Sequence, residues 1–444
     1  MKNNFKIHFI GINGAGMCTL AKYLKSNGFY VTGSDVKYNQ ISKDLENNGI
    51  IVYVGHDCSN VKDADIVVYS SSINERNVEY KEALNLKKAI YKRGELLGLI
   101  FSTFKNSVGF SGSHGKTTAT SISAHILKKS LMPFTSLIGG EDSILGNFVY
   151  NEKSNLIVSE VCEFQKNINY ISPLVSAVLN IDDDHLDCYL SINELETTFF
   201  NYLDRAKYKV VCLDDERLKD YKSNNLITYA INSNADYKAE NVIKINGKYS
   251  FTTKLSNDKS IRINLNVYGY HNIYNALVNI AIFDKIFKFD SDIIKSGIES
   301  FCGVKRRFEF LGTLHGINIY ADYCHHPTEI KESLKVYNEV LKGDYKIVFQ
   351  PHTYSRTKLL FNDFVCVLKN QKVLIYNTYP AREKYDYKGS AKRLAKALKL
   401  PYIKNRKKLK KLINIEKYTN NYIIFGAGDL YDILCEEIKN GLKN

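Results

Sequence analysis

Ser111-Gly112-Ser113-His114-Gly115-Lys116-Thr117-Thr118 combines residue types and spacing that specify phosphate chemistry. Gly112 and Gly115 let backbone N–H groups turn toward phosphate oxygens, and a helix starting here, with Ile122 and Ile126 along it, adds the partial positive charge of its N-terminus. Lys116 can reach the terminal phosphates of a nucleotide, and the Thr117 hydroxyl can ligate magnesium. The stretch therefore reads as a phosphate cradle. Phe110 stands where the general motif has its first glycine, so the strand-loop-helix setting carries the reading rather than a full match.

Two further groups of residues could do chemistry. Gly11-Ile12-Asn13-Gly14-Ala15-Gly16 follows an apolar strand and opens a helix, with Asp35 at the end of the next strand, as in a dinucleotide-binding turn. Asn13 replaces the glycine that lets backbone approach a pyrophosphate, so the pattern fits either a nucleotide diphosphate site or a tight structural turn. Glu160 follows the apolar run 156–159, and Asp182-Asp183-Asp184-His185 follows the run 175–180. Ligands of open α/β sheets gather at the carboxyl ends of strands, so these hard ligands are expected to face Lys116 and Thr117 and to hold magnesium.

The elements that must position these groups form an α/β chain. Apolar runs at 6–10, 30–33, 50–54 and 66–70 alternate with helical stretches, the signature of a parallel sheet with crossover helices. A second such unit starts at 108–112. Inside it, Ile261, Ile263, Leu265 and Val267 alternate with Arg262, Asn264 and Asn266, and Asn246-Gly247 is a hairpin turn, so a small antiparallel patch is expected before a helix over 272–287. Strand-helix alternation resumes with runs at 317–320, 346–350, 373–376 and 422–425. The expected organisation is three domains: a Rossmann-like domain over 1–100, a central P-loop ATPase domain over 101–302, and a Rossmann-like C-terminal domain over 303–444.

Composition narrows the function classes. No apolar run approaches the roughly 18 residues that would span a bilayer, and the run 6–10 leads into glycines rather than a signal-peptide core. Neither membrane insertion nor an export signal is expected. The nine scattered cysteines include no Cys-x-x-Cys pair and suit free thiols in the cytoplasm. The formal charge of +14 and the basic stretch 404–411 come without any nucleic-acid recognition module; they read as a solvated helix face and a surface suited to a polyphosphate substrate.

The ordered series Ser113-His114-Gly115-Lys116-Thr117-Thr118, Asn180-Ile181-Asp182-Asp183-Asp184-His185-Leu186-Asp187, Gly269-Tyr270-His271-Asn272-Ile273-Tyr274-Asn275-Ala276 and Arg306-Arg307-Phe308-Glu309 resembles the motifs of the Mur ligases across essentially the whole chain. Asp322-Tyr323-Cys324-His325-His326-Pro327-Thr328-Glu329, Phe349-Gln350-Pro351-His352-Thr353-Tyr354-Ser355-Arg356-Thr357 and Gly426-Ala427-Gly428-Asp429 are similar to its alanine-adding member. The resemblance implies ATP-dependent joining of L-alanine to UDP-N-acetylmuramate through an acyl phosphate. It implies that Gly14, Ala15, Gly16, Asp35, Ser70 and Ser71 hold the UDP-sugar, and that Gly112, Ser113, His114, Gly115, Lys116, Thr117, Thr118, Asn275, Arg306 and Tyr323 hold ATP. Thr117, Glu160 and His185 would bind two magnesium ions; His325, His352 and Arg356 would receive the amino acid; Lys116, His185 and Arg356 would be catalytic. His56 lies in a matching Gly-His segment but reads equally as a loop histidine.

The departures are specific. The segment Val161-Cys162-Glu163-Phe164-Gln165 lacks two carboxylates usual after the metal-binding glutamate, Cys324 replaces a common glycine, and Thr353 stands where many relatives have arginine. Phe200 occupies the place of a lysine that some relatives carbamylate, so no modified lysine is expected. Three other functions compete: a ligase attaching a whole murein peptide to the same UDP-sugar, an NAD-dependent oxidoreductase, and a non-catalytic nucleotide-binding regulator. The oxidoreductase leaves Lys116, Glu160 and His185 unused. The chain is expected to act as a monomer or homodimer.

Overall fold

The structure is a computed structural model and describes residues 5–182, 188–381, 383–415 and 419–441. The chain divides into two compact units. One comprises Met1–Ile243, Ser250–Asn266 and His271–Cys302; the other comprises Lys244–Tyr249, Val267–Tyr270 and Gly303–Asn444.

The first unit holds two sheets. Strands β1 (Lys6–Ile10), β2 (Tyr30–Asp35), β3 (Ile51–Val54), β4 (Ile66–Tyr69) and β5 (Ala89–Lys92) are all parallel, in the order β3-β2-β1-β4-β5. The order reverses at β1, so the glycine turn that follows β1 opens into the crevice between the ends of β2 and β4. The second sheet contains β6 (Asn106–Ser111), β7 (Thr135–Asp142), β8 (Gly146–Val149), β9 (Leu156–Glu160), β10 (Val175–Val178), β11 (Tyr208–Cys212), β12 (Leu226–Ala230) and β13 (Tyr237–Lys238). Its order is β13-β12-β11-β10-β6-β9-β7-β8, and only the edge pair β7–β8 is antiparallel. Strand β6 lies between β9 and β10, so its following loop meets both of their carboxyl ends.

Burial explains why these strands are nearly all apolar. Val108 and Phe110 of β6, Ile157 and Val158 of β9 and Val175 and Ala177 of β10 are fully buried, as a sheet covered on both faces requires. The helix Lys116–Ser130 covers this sheet, with Ala119, Ile122, Ala124, Ile126 and Leu127 buried.

Strands β14 (Glu240–Ile245), β15 (Lys248–Lys254) and β16 (Ser260–Tyr268) form a separate three-stranded sheet. Asn246 and Gly247 both take positive φ, 52° and 78°, which gives the tight turn and makes β14 and β15 antiparallel. The helix expected over 272–287 is regular over His271–Ala281 and then widens into a π-helical segment, Ile282–Ile286.

In the second unit, β17 (Glu309–Leu314), β18 (Ile317–Asp322), β19 (Lys346–Phe349), β20 (Val373–Tyr376), β21 (Tyr402–Ile403) and β22 (Asn421–Phe425) take the order β17-β18-β22-β19-β20-β21. Only the edge pair β17–β18 is antiparallel. The basic stretch lies largely in the helix Arg406–Ile415, where Lys407, Lys408 and Lys410 are exposed and Leu409 is buried. No helix among the described residues is long and apolar enough to cross a membrane.

Candidate active site

The loop after β6 is fastened to the end of β10. Asn180 Oδ1 accepts from the His114 N–H at 2.8 Å, its amide donates to the His114 carbonyl at 3.0 Å, and the Ser113 N–H donates to the Asn180 carbonyl at 3.1 Å. The Asp182 N–H donates to the Ser113 hydroxyl at 2.8 Å, and His114 Nε2 lies 3.0 Å from the Asp182 carboxylate. Gly115 has φ 88°, and a Cβ there would stand 2.7 Å from Asn275 Oδ1, so glycine satisfies both the backbone and the close approach of the helix His271–Ala281. That helix is tied to the helix Lys116–Ser130 through Asn279, which donates to the Ala119 carbonyl at 3.0 Å and accepts from Ser123 at 2.5 Å.

Lys116, Thr117 and Thr118 form the first turn of the helix. The Lys116 ammonium folds back over its own loop, donating to the carbonyls of Gly112 and Ser113 and to both oxygens of Glu163, at 3.0 and 3.1 Å. Burial works against this charge, but the Glu163 carboxylate, with Glu160 beyond it, outweighs burial and holds the ammonium well above the ordinary lysine value. Glu160 ends β9 beside Thr117, which hydrogen-bonds its carboxylate, and the Gly139 N–H donates to Oε1 at 2.5 Å. Burial pushes the Glu160 carboxyl up, while Thr117, Gly139, Lys116 and Arg93 pull it down. The structure thus brings Gly112, Ser113, His114, Gly115, Lys116, Thr117, Glu160 and Asn275 around one sheet edge. His185 lies outside the described residues. Phe200 is in the helix Ile192–Asp204, with its ring 5.1 Å from Tyr221.

The glycine turn of the first sheet is equally anchored. The N–H groups of Gly11 and Ile12 donate to the Ser34 carbonyl at 2.8 and 3.0 Å, and the Asn13 N–H donates to Asp35 at 3.1 Å. Asn13 has a structural use: its side chain donates to the Lys37 carbonyl at 2.8 Å and accepts from Ser42 at 3.0 Å. Gly14 caps the helix Ala15–Ser26, which includes Gly16. Ser70, after β4, lies 2.8 Å from the Ser72 hydroxyl, and Ser71 accepts from the Asn167 amide at 2.9 Å. His56 joins a buried network, its Nδ1 2.9 Å from Glu79 and 3.0 Å from Ser34. Burial opposes the Glu79 charge, yet His56, His8, Ser34 and Asn60 hold its carboxyl well below the usual carboxylate range.

In the second unit, His325 lies between Tyr323, at 5.3 Å between ring centroids, and His352, at 5.6 Å, and His352 stacks on Tyr379. Glu329 accepts from the His325 N–H at 3.0 Å and sits 3.3 Å from the Arg307 guanidinium. Burial raises the Asp322 carboxyl to about 6 despite the nearby Arg307. Arg356 is half-buried inside the helix Tyr354–Leu359, close enough to Tyr323 to act on it electrostatically. Thr353 caps that helix, accepting from the Arg356 N–H at 3.4 Å with φ 66°, so Arg356 is not its cap. Arg306 lies over the Tyr431 ring at 4.0 Å and pairs with Asp432 at 3.2 Å.

Sequence reasoning gave Glu163, Arg93, Glu329 and Asn180 no individual role. Asn180 and Glu329 lie inside motifs of the series, Glu163 lies in the segment that departs from it, and Arg93 has no local sequence signal.

Comparison with known proteins agrees with this architecture. Family models described as the Mur ligase catalytic domain, the Mur ligase middle domain and the Mur ligase glutamate ligase domain match residues 6–105, 110–283 and 306–428. The UDP-N-acetylmuramate--L-alanine ligase of Caldicellulosiruptor bescii is 38% identical over 403 residues, covering 89% of this chain and 88% of its own. That of Clostridium beijerinckii is 38% identical over 429 residues, covering 94% and 92%. The crystal structure of the UDP-N-acetylmuramate-alanine ligase from Thermotoga maritima superposes with a TM-score of 0.84 at 25% identity, covering 99% of each chain. By its sequence models, its relatives and its fold, the chain belongs to the Mur ligase family.

Proposed function

We propose that the chain joins L-alanine to UDP-N-acetylmuramate at the expense of ATP, giving UDP-N-acetylmuramoyl-L-alanine, ADP and phosphate in peptidoglycan precursor synthesis. The observation that carries the reading is the sheet edge where Lys116, Thr117, Glu160 and Asn275 converge, in a chain 38% identical to alanine ligases over most of its length. Residues 1–100 would hold the UDP-sugar, 101–302 ATP, and 303–444 the amino acid, in a cytoplasmic monomer or homodimer.

A carboxylate is a poor electrophile. In the first step an oxygen of the substrate carboxylate attacks the γ-phosphorus of ATP, and the bond to the β-phosphate oxygen breaks, releasing ADP and leaving an acyl phosphate. Lys116 and the N–H groups of the loop 112–118 neutralise the oxygens that gain charge. The hard oxygens of Thr117 and Glu160 fit magnesium, with His185 taken as ligand of a second ion; bound magnesium would neutralise phosphate oxygens. Asn275, against Gly115, would address the nucleotide; the resemblance assigns Arg306 and Tyr323 to the same ligand. In the second step the neutral amine of alanine attacks the acyl carbon, loses a proton, and the tetrahedral intermediate expels phosphate. Arg356, with His325 and His352, receives the alanine carboxylate, for which a guanidinium fork is suited. Gly14, Ala15, Gly16, Asp35, Ser70 and Ser71 orient the UDP-sugar.

Phosphate release from ATP, measured with UDP-N-acetylmuramate and a panel of amino acids and peptides, tests the reading. Release should require both the UDP-sugar and alanine. Release that needs a murein peptide instead of alanine would establish the recycling ligase, and slow release indifferent to UDP-sugar would establish a regulator.

A further inference from the structure

Arg93 opens the helix Arg93–Ser102 directly after β5. The start of that helix is pinned: the Gly94 N–H donates to Asn167 Oδ1 at 3.0 Å, and the Asn167 amide donates to Ser71 at 2.9 Å. Its backbone fixed, Arg93 sends its side chain over Gly16, where an added Cβ would stand 2.8 Å from Nη1, 3.3 Å from Cδ and 3.5 Å from Cζ. The absence of a side chain at Gly16 is what admits the guanidinium. Arg93 is also within electrostatic reach of Glu160 and Cys162, where its charge opposes part of the upward shift that burial gives both groups.

Among the described residues this half-buried guanidinium has no carboxylate partner in an ion pair and makes no side-chain hydrogen bond. It stands instead beside the first turn of the helix Ala15–Ser26, which has no acidic residue in that turn and no side-chain cap. A cation at the positive end of a helix is unfavourable by itself. The same arrangement becomes favourable once an anion lies between the guanidinium and the turn, receiving N–H groups from one side and a planar fork from the other.

We propose that Arg93 grips the diphosphate of the UDP-sugar against the Gly14–Gly16 turn. The proposal rests on the UDP-sugar reading above and adds to it a guanidinium supplied by a different helix. The diphosphate is the chosen anion, rather than the substrate's reacting carboxylate, because the direct approach of Arg93 is to Gly16.

Calorimetric titration of the full chain with UDP-N-acetylmuramate and with UDP-N-acetylglucosamine, which keeps the diphosphate and lacks the carboxylate, is the test. Arg93→Ala should weaken both ligands by a similar factor, on the order of tenfold to a hundredfold, and leave binding of an ATP analogue unchanged. Arg93→Lys should recover part of the loss, and Gly16→Ala, whose new methyl displaces the guanidinium, should reproduce it. Melting of each variant near the wild-type temperature confirms folding. Unchanged UDP-N-acetylglucosamine affinity in Arg93→Ala overturns the proposal, and loss confined to UDP-N-acetylmuramate overturns it in favour of the carboxylate. A wild-type chain that binds neither UDP-sugar overturns the underlying functional reading together with this one.

Discussion

Glu163→Gln separates what holds the phosphate loop together from what binds nucleotide. Glu163 takes both of its oxygens to the Lys116 ammonium, and the two side chains are 1% and 13% exposed. Breaking a buried pair outright costs about 3–5 kcal/mol, because one charge is left uncompensated. Here the Gly112 and Ser113 carbonyls remain on the ammonium and glutamine keeps one acceptor, so the expected loss is about 1–3 kcal/mol, the scale of a single hydrogen bond to a charged group. ATP must share or displace the same ammonium. The variant therefore loses stability without ligand but spares ATP that displacement, and if about 1.4 kcal/mol of the pair opposed binding, affinity rises about tenfold. Melting with and without a non-hydrolysable ATP analogue, alongside calorimetry, reads both effects. The reasoning fails if the variant loses stability while its affinity for the analogue is unchanged or weaker. Glu163 would then belong to the nucleotide site itself.

Three further outcomes follow from the same geometry. Arg356→Ala should raise the Michaelis constant for alanine by the equivalent of about 2–5 kcal/mol with a smaller change for ATP, and Arg356→Lys should rescue only part; normal alanine kinetics in a folded variant would remove Arg356 from the amino-acid site. Gly139→Ala places a methyl 2.5 Å from Glu160 Oε2, so it should raise the magnesium concentration needed for activity while leaving UDP-sugar binding intact, and an unchanged magnesium requirement would dissociate Glu160 from the metal. Burial raises Asp322 to about 6 from 3.8, so between those values the folded chain holds a proton that the unfolded chain has released. Stability from this group is therefore present at low pH and lost as pH rises through about 4 to 6, by up to about 3 kcal/mol. Asp322→Asn should flatten that part of the urea-unfolding profile, and identical wild-type and variant slopes would contradict the shift.

Much of the chain was legible because the determinants are local. The alternation at Ile261, Ile263 and Leu265 is met by burial of all three between exposed Arg262, Asn264 and Asn266. The phosphate loop announced itself because glycine, lysine and threonine must be contiguous to wrap phosphate at a helix start. Short or edge strands such as β8, β13 and β21 left no comparable mark, since an edge strand of two to four residues has too little period to read. The sequence placed Glu160 at a strand end, but tertiary structure decided that β9 lies beside β6 and so sets Glu160 against Thr117. It likewise decided that Glu163 meets Lys116 and that Arg93 reaches Gly16 from another helix. Periodicity reports which face of an element is buried, whereas strand order and the close approach of distant side chains depend on how all the elements pack at once.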